Sequence, residues 1–194
     1  MTERRLLQVN VGLVRPLLVS ERKMMSAIGK QAVTGAVEVK PLGLAGDEQA
    51  DLSVHGGLAK AIYAYPTEHY AFWQEQRQQR GVTLFDEVLG GGFAGENLTL
   101  AGLLEDEVWV GDELHFPDCV LRVTAPREPC GKFNTVMGYS QAARDMVQSS
   151  RCGFYLAVCT PGSLAAGQSF ELVPGRRGLS IPQALAAKGA KHLR

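Results

Sequence analysis

The 194 residues show no excess of charge of either sign: 20 lysines and arginines stand against 20 aspartates and glutamates, a formal net charge of zero. Such a chain has no general attraction for a nucleic acid polymer or an anionic membrane, so any anion site must be local. No segment sustains the roughly 18 apolar residues of a membrane span. The stretch Met1 to Val9 carries Glu3, Arg4 and Arg5 and lacks the apolar run and small-residue cleavage pattern of a secretory signal. The expectation is a cytoplasmic protein with neither a membrane nor a nucleic-acid partner.

Cysteine is also scarce. Cys119, Cys130, Cys152 and Cys159 are the only four, and none forms the closely spaced pair of a redox dithiol or zinc site. The His-Glu-x-x-His spacing of a zinc hydrolase, the Gly-Lys-Ser/Thr ending of a phosphate loop, an iron–sulfur cysteine pattern and a nicotinamide-binding glycine fingerprint are all missing. There is no internal repeat. Any redox chemistry therefore needs an external electron source.

What is present suits one domain: 45% of residues are hydrophobic, ample for a single core. Val- and Leu-rich runs at Leu6 to Val14, Val33 to Val39, Lys60 to Tyr65, Glu107 to Phe116, Cys119 to Thr124, Phe154 to Cys159 and Phe170 to Val173 read as short strands. Pro66 opens a helix from Thr67 to about Gln79, with Tyr65, His69, Phe72, Trp73 and Gln76 on one packing face. A second helix is expected from Val136 to Ser149, interrupted near its start by Gly138. Many short strands without strand–helix alternation predict a mainly β fold, a partly closed β-barrel with embedded short helices. Residues 1–174 form this domain, and 175–194 a short tail with a helix from Pro182 to Lys188.

The chemistry concentrates at Arg127-Glu128-Pro129-Cys130-Gly131-Lys132-Phe133-Asn134. Pro129 and Gly131 hold Cys130 in a turn, and Arg127 and Lys132 favour its thiolate and attract an anion. Cys119, Cys152 and Cys159 have apolar neighbours and read as core residues. Upstream, Gly43 and Gly46 permit a tight turn in which Asp47 and Asp51 either orient a cation or solvate the loop. Gly56 and Gly57, after His55, either offer backbone N–H groups to an anion or serve only the turn. In Gly90 to Thr99, Gly95 allows close approach of a ligand and Asn97 offers hydrogen bonds, while Glu96 is available to secure the loop. His69, on an aromatic face, reads as a packing residue.

Together, Gly43 to Asp51, Val54-His55-Gly56-Gly57, Tyr65-Pro66-Thr67-Glu68-His69-Tyr70, Phe93 to Thr99, Ala125 to Phe133 and the Cys152-Gly153 region resemble, in the same order, the MOSC domain family. Within it, the likeness is to the YiiM-type bacterial proteins associated with resistance to 6-hydroxylaminopurine. The resemblance covers about Leu6 through Val173 and implies a barrel-like β fold. It also implies a molybdenum cofactor (molybdopterin), with Cys130 as protein sulfur ligand to the metal; a soft thiolate suits that role. Arg127 and Lys132 would engage the pterin phosphate or stabilise charge near the sulfur. Asn134, Asn97 and the backbone at Gly46, Gly56, Gly57 and Gly95 would complete the pocket, and His55 and Asp47 would orient the cofactor or shuttle a proton. The implied activity is reduction of N-hydroxylated bases or related hydroxylamines to amines, with a flavoprotein or other reductase as electron donor. A sulfur-carrier or a cofactor-binding and delivery protein is the alternative, and a homodimer is an open assembly state.

Overall fold

The computed structural model describes residues 3–50, 56–83 and 87–192, with side chains described through 188. The chain forms β1 (Arg5–Val11), β2 (Arg15–Val19), β3 (Arg22–Ser26), β4 (Gln31–Ala32), β5 (Val37–Lys40), β6 (Gly43–Leu44) and β7 (Ile62–Pro66). Helix α1 (Tyr70–Gln79) and β8 (Leu98–Ala101), β9 (Glu113–His115) and β10 (Val120–Pro126) follow. Then come α2 (Gly131–Met137), α3 (Ala142–Ser149), β11 (Phe154–Thr160), β12 (Gly162–Leu164), β13 (Glu171–Val173) and α4 (Ile181–His192).

One large mixed sheet runs β13-β9-β10-β11-β7-β8-β1-β4, beside a small sheet β12-β5-β6 and an isolated β2–β3 ribbon. Its strands pair antiparallel except β7 with β8, and a parallel pair needs a long crossover, which α1 and the loop after it supply. Paired on both edges and covered on both faces, β7 is buried at every position, which explains its unbroken apolar run. In β10, by contrast, Leu121 and Val123 point inward and Arg122 outward. No ladder joins the end strands β13 and β4 among the described residues. The chain entering β13 meets β1 instead, through Leu6 N–H to the Gln168 carbonyl at 2.8 Å, Gly167 N–H to the Leu6 carbonyl at 2.7 Å and Phe170 N–H to the Arg4 carbonyl at 3.2 Å. The fold is mainly β, as the sequence predicts, with four helices where three were expected.

Helix α1 presses Trp73 into the core, where its Nε1–H donates to Tyr65 Oη at 2.5 Å and its ring meets Phe133 edge-on at 5.3 Å. His69 is buried against Glu105, Nε2 to Oε2 2.7 Å, and Glu105 Oε1 accepts from Gly153 N–H at 2.7 Å. His69 is thus the packing residue that its aromatic face predicts.

The structure adds to and alters these expectations. The β2–β3 hairpin spans Arg15–Ser26, where no strand was expected. Its two-residue turn places Ser20 and Glu21 at φ 46° and 67°, the left-handed geometry that Asn-Gly ordinarily marks. The helix expected over Val136 to Ser149 is two helices, because α2 begins at Gly131 and stops where Gly138 adopts φ +77°. The tail joins the core: Ile181, Ala184 and Leu185 are buried, and Asp112, itself fully buried, accepts Gly175 N–H at 2.7 Å and Trp109 N–H at 3.1 Å.

Gly153, at φ +63° between β7 and β11, has the Ala64 carbonyl, Tyr65 Cδ2 (2.8 Å) and Tyr63 Cε2 (2.9 Å) where a Cβ would lie. We expect Gly153→Ala to destabilise the protein by about 3 kcal/mol through overpacking and left-handed strain, read as a lower midpoint in chemical denaturation.

Candidate functional site

A cleft enclosing about 650 Å³, counted to its open mouth, lies between the segment after β3, the loop after β6, the start of β7 and the turn before α2. Four cationic side chains, Lys30, Lys60, Arg127 and Lys132, and two carboxylates, Asp47 and Glu48, line it together with Cys130, Tyr63 and Tyr155.

One wall is a buried polar knot. Asp47 Oδ1 accepts from Gly12 N–H at 2.8 Å and from Lys30 Nζ at 2.5 Å, and Oδ2 accepts from Asn97 Nδ2 at 2.8 Å. The Lys30 and Asp47 side chains are only 7% and 5% exposed. Asn97 also donates to the Asn10 carbonyl at 3.2 Å and accepts from Tyr63 N–H at 3.1 Å, so its amide is fully engaged in joining strands. Both oxygens of Asp47 are likewise taken by the protein, which makes it an organiser of the wall rather than a free proton carrier.

Glu96 secures the next loop. Its carboxyl accepts from Gly92 N–H (2.8 Å), Ala94 N–H (3.0 Å), the Tyr70 hydroxyl (2.5 Å) and the Thr99 hydroxyl (3.2 Å), while burial holds its pKa above the usual carboxylate range. Gly95, held there at φ +86°, lines the cleft because Ile28 packs where its Cβ would be, at 2.7 Å.

Other glycine positions fall behind this surface. Gly46 shapes the turn before Asp47 at φ +83° and does not line the cleft. Gly57 donates its N–H to Gln49 Oε1 at 2.9 Å, and neither it nor Gly56 lines the cleft. Gln49, which lies in the Gly43–Asp51 motif but was given no role, lines the cleft here, fixed by its Nε2 on the Leu42 carbonyl at 2.9 Å. Asn134 lies outside the cleft as well: its Oδ1 accepts Ala143 N–H at 2.7 Å and ties α2 to α3. His55 lies outside the described residues.

The opposite wall gathers the three residues of the cysteine motif that the sequence ranks first. Arg127 is 4% exposed, with its guanidinium 5.4 Å from the Tyr63 ring centroid, 5.0 Å from that of Phe133 and Nη1 3.5 Å from Met146 Sδ. No carboxylate among the described residues forms an ion pair with it. Aromatic faces make a buried cation tolerable. Cys130 sits half-buried in extended backbone just before α2, its carbonyl accepting Phe133 N–H at 2.9 Å. Lys132 reaches across the mouth to donate to the Met25 carbonyl at 2.9 Å.

The remaining cysteines divide. Cys119 and Cys152 are buried; burial and the neighbouring Asp118 push the Cys119 thiol up to about 11, and burial pushes Cys152 up as well. Cys159, expected in the core, is exposed, because β11 runs out past the packed layer at its last two residues. Among the described residues no group of three or more His, Cys, Asp or Glu side chains is placed to hold a metal, and no helix is long and apolar enough to cross a membrane.

The MOSC domain pattern matches residues 51–171, the span that includes Asn97, Arg127, Cys130 and Lys132. The chain belongs to the MOSC domain family. It is 35% identical over 176 residues to the uncharacterized protein YflK of Bacillus subtilis, covering 90% of this chain and 76% of that one. It is also 35% identical over 161 residues to protein YiiM of Escherichia coli, covering 83% and 70%. The crystal structure of YiiM from Geobacillus stearothermophilus superposes with a TM-score of 0.76 at 28% identity, over 98% of this chain and 86% of that one. This is accordingly a YiiM-type MOSC protein. Its mainly β fold with four helices agrees with that likeness, and within it Asp47, Asn97 and Glu96 hold the walls of the cleft.

Asp47→Ala strands a buried ammonium and two N–H donors, and we expect a loss of about 3–5 kcal/mol in unfolding free energy, measured by urea titration. With Cys119 raised to about 11, only about a thousandth of it is thiolate at pH 8. Native alkylation at that pH should modify Cys130 and Cys159, with Cys119 and Cys152 reacting only after denaturation, as read by mass spectrometry of the peptides.

Proposed function

We propose that this MOSC protein reduces N-hydroxylated bases or related hydroxylamines to amines with the help of a molybdenum cofactor. The observation that carries the reading is the half-buried Cys130 sulfur in a cleft that Arg127, Lys60 and Lys132 also line. The donor set agrees with such a group. A single thiolate suits a soft metal whose other ligands come from an organic dithiolene, whereas a metal held by protein alone needs three or four converging side chains.

In this reading Cys130 Sγ holds the metal. Arg127 and Lys132 take the anionic end of the cofactor, with Lys132 fixed by the Met25 carbonyl and Arg127 by its aromatic neighbours. Lys30 is neutralised by Asp47 and shapes the wall rather than binding an anion. Tyr63 and Tyr155 stay un-ionised at neutral pH, since burial raises both phenols, and they give the cleft a flat apolar side suited to a planar base. When bound, the cofactor supplies two-electron oxygen-transfer chemistry, for which the chain has no redox group of its own. The overall reaction takes a hydroxylamine, two electrons and two protons to an amine and water.

Supporting the reading, a protein of Gibberella moniliformis named as a reductase is 31% identical over 169 residues, although the match covers only 29% of that longer chain. The backbone bonds between residues 167–170 and β1 support taking the sheet as a partly closed barrel whose mouth is the cleft.

The test is reconstitution with molybdenum cofactor and reduced methyl viologen, followed by conversion of 6-hydroxylaminopurine. We expect adenine from the wild type and at least about a 100-fold loss in Cys130→Ala at unchanged thermal stability. Equal conversion by the two proteins overturns the role of the sulfur. Freshly purified protein carrying an extra sulfur on Cys130, with no conversion, favours sulfur transfer instead.

A further inference from the structure

Two stretches of the family pattern, Tyr65 to Tyr70 and Cys152-Gly153, take no part in the chemistry assigned to the cleft. They meet at a third residue, Glu105. Its Oε2 lies 2.7 Å from His69 Nε2, and its Oε1 accepts from Gly153 N–H at 2.7 Å. Glu105 and His69 are both buried, and neither lines the cleft. With both oxygens engaged by the protein, this carboxylate serves the fold around it rather than a ligand.

What Glu105 holds leads to the cleft. The three carbonyls of residues 151–153 accept in turn from Tyr65 Oη at 3.0 Å, from Tyr63 Oη at 2.8 Å and from Arg127 N–H at 3.4 Å. Tyr63 and Arg127 line the cleft, with the guanidinium 5.4 Å from the Tyr63 ring centroid. No carboxylate among the described residues forms an ion pair with that guanidinium, so ring faces and its own backbone fix its place. Gly153 is wedged against the Tyr63 ring as well, for a Cβ there would stand 2.9 Å from Tyr63 Cε2. One short segment thus sets the ring and the backbone of the cation together.

We infer that Glu105 is a positioning residue of the cleft: held by His69, it fixes residues 151–153, and through them the Tyr63 ring and the Arg127 guanidinium that takes an anion. The inference rests on the reading of Arg127 as an anion-holding group. A support of this kind touches no ligand. Its loss lets the binding group swing, which lowers affinity although every contact group is still present. Because Glu105 and the Tyr63 hydroxyl act on the same segment, their effects on the anion are coupled rather than independent.

The experiment titrates the full chain with inorganic pyrophosphate by calorimetry and records the urea midpoint of each variant. Wild type should bind, and Arg127→Gln should lose about tenfold or more in affinity, which ties the probe to the guanidinium. Glu105→Ala should also lose about tenfold, whereas Glu105→Gln, which keeps an acceptor for Gly153 N–H, should stay within about twofold of wild type. Tyr63→Phe removes the hydroxyl on the Cys152 carbonyl and should weaken binding, and Glu105→Ala/Tyr63→Phe should bind no more weakly than the weaker single variant. Leu114→Ala, in the core of β9 and away from the lining residues, should lower the midpoint and leave the affinity unchanged. Where Glu105→Ala does not fold, His69→Gln replaces it, with a loss of about threefold expected. Wild-type affinity in Arg127→Gln, Glu105→Ala or His69→Gln overturns the inference, as do losses that multiply in the double variant. So does a Glu105→Gln as weak as Glu105→Ala, or an equal loss in Leu114→Ala. No binding by wild type overturns the anion-holding reading of Arg127 and the inference with it. Coupled losses together with no adenine from the cofactor-loaded protein overturn the reductase reading and leave the positioning role standing.

Discussion

Four separate pieces of chain converge on one buried ion pair, and the site exists because they do. Lys30 and Asp47 meet at 2.5 Å with little exposure to water, and taking two such charges into a protein interior costs several kcal/mol each unless hydrogen bonds offset it. Gly12 N–H and Asn97 Nδ2 supply those bonds from the end of β1 and the start of β8. Asn97 then locks β7 to β1 through Tyr63 N–H and the Asn10 carbonyl. A knot with this many partners has one satisfactory register. Shifting any of the four segments by a residue would leave a charge unpaired, so the pair specifies the wall even where its net contribution to stability is small.

The same pair sets where charge acts in the cleft. Lys30 is cancelled, and Glu48 is occupied by Val14 N–H at 2.6 Å. Arg127 and Lys132 bring positive charge to the Cys130 segment and Lys60 Nζ lies 5.5 Å over the Tyr155 ring, against the one further lining carboxylate, Glu48. A zero net charge for the whole chain is therefore compatible with a strongly anion-seeking cleft. The protein separates its charges locally: carboxylates in the wall, a guanidinium against aromatic faces opposite.

How much of this was legible depends on whether the signal is local. The apolar run of β7 and the proline at the strand–helix junction before α1 are encoded within a few residues, and each appears where the sequence puts it, whereas Cys130, expected in a turn, lies in extended backbone leading into α2. The β2–β3 hairpin was hidden because its turn puts Ser20 and Glu21 in left-handed backbone that glycine or asparagine would normally announce. Gly138 was read as a flaw in one helix when it is the terminator of another, since nothing nearby reveals that α2 starts at Gly131. Cys159 looked like a core residue by its neighbours, yet strand length relative to the packed layer decides burial. The largest gap concerns Asp47, Asn97 and Asn134. Their residue types fit ligand binding, and only the tertiary partners, 35 or more positions away for Asp47's bond to Gly12 and nine for Asn134's to Ala143, reveal that those polar atoms are already engaged.

Positioning a side chain such as Cys130 closely requires that its segment be held from more than one side, since a loop fixed at one point swings about it. Here the supports come from three parts of the chain. The hairpin anchors Lys132 through Met25, Phe133 is buried against Trp73 of α1, and Glu128, two residues before Cys130, pairs with Lys188 of α4. The last contact gives the tail a structural reason to pack on the domain: Ile181 and Leu185 carry α4 into the core so that Lys188 reaches the cysteine turn. Hairpin, crossover helix and tail are each irregular additions to the large sheet, and their common point is the segment from Arg127 to Phe133. The regular sheet supplies the frame, while the hairpin and the two helices packed on it decide where the sulfur sits.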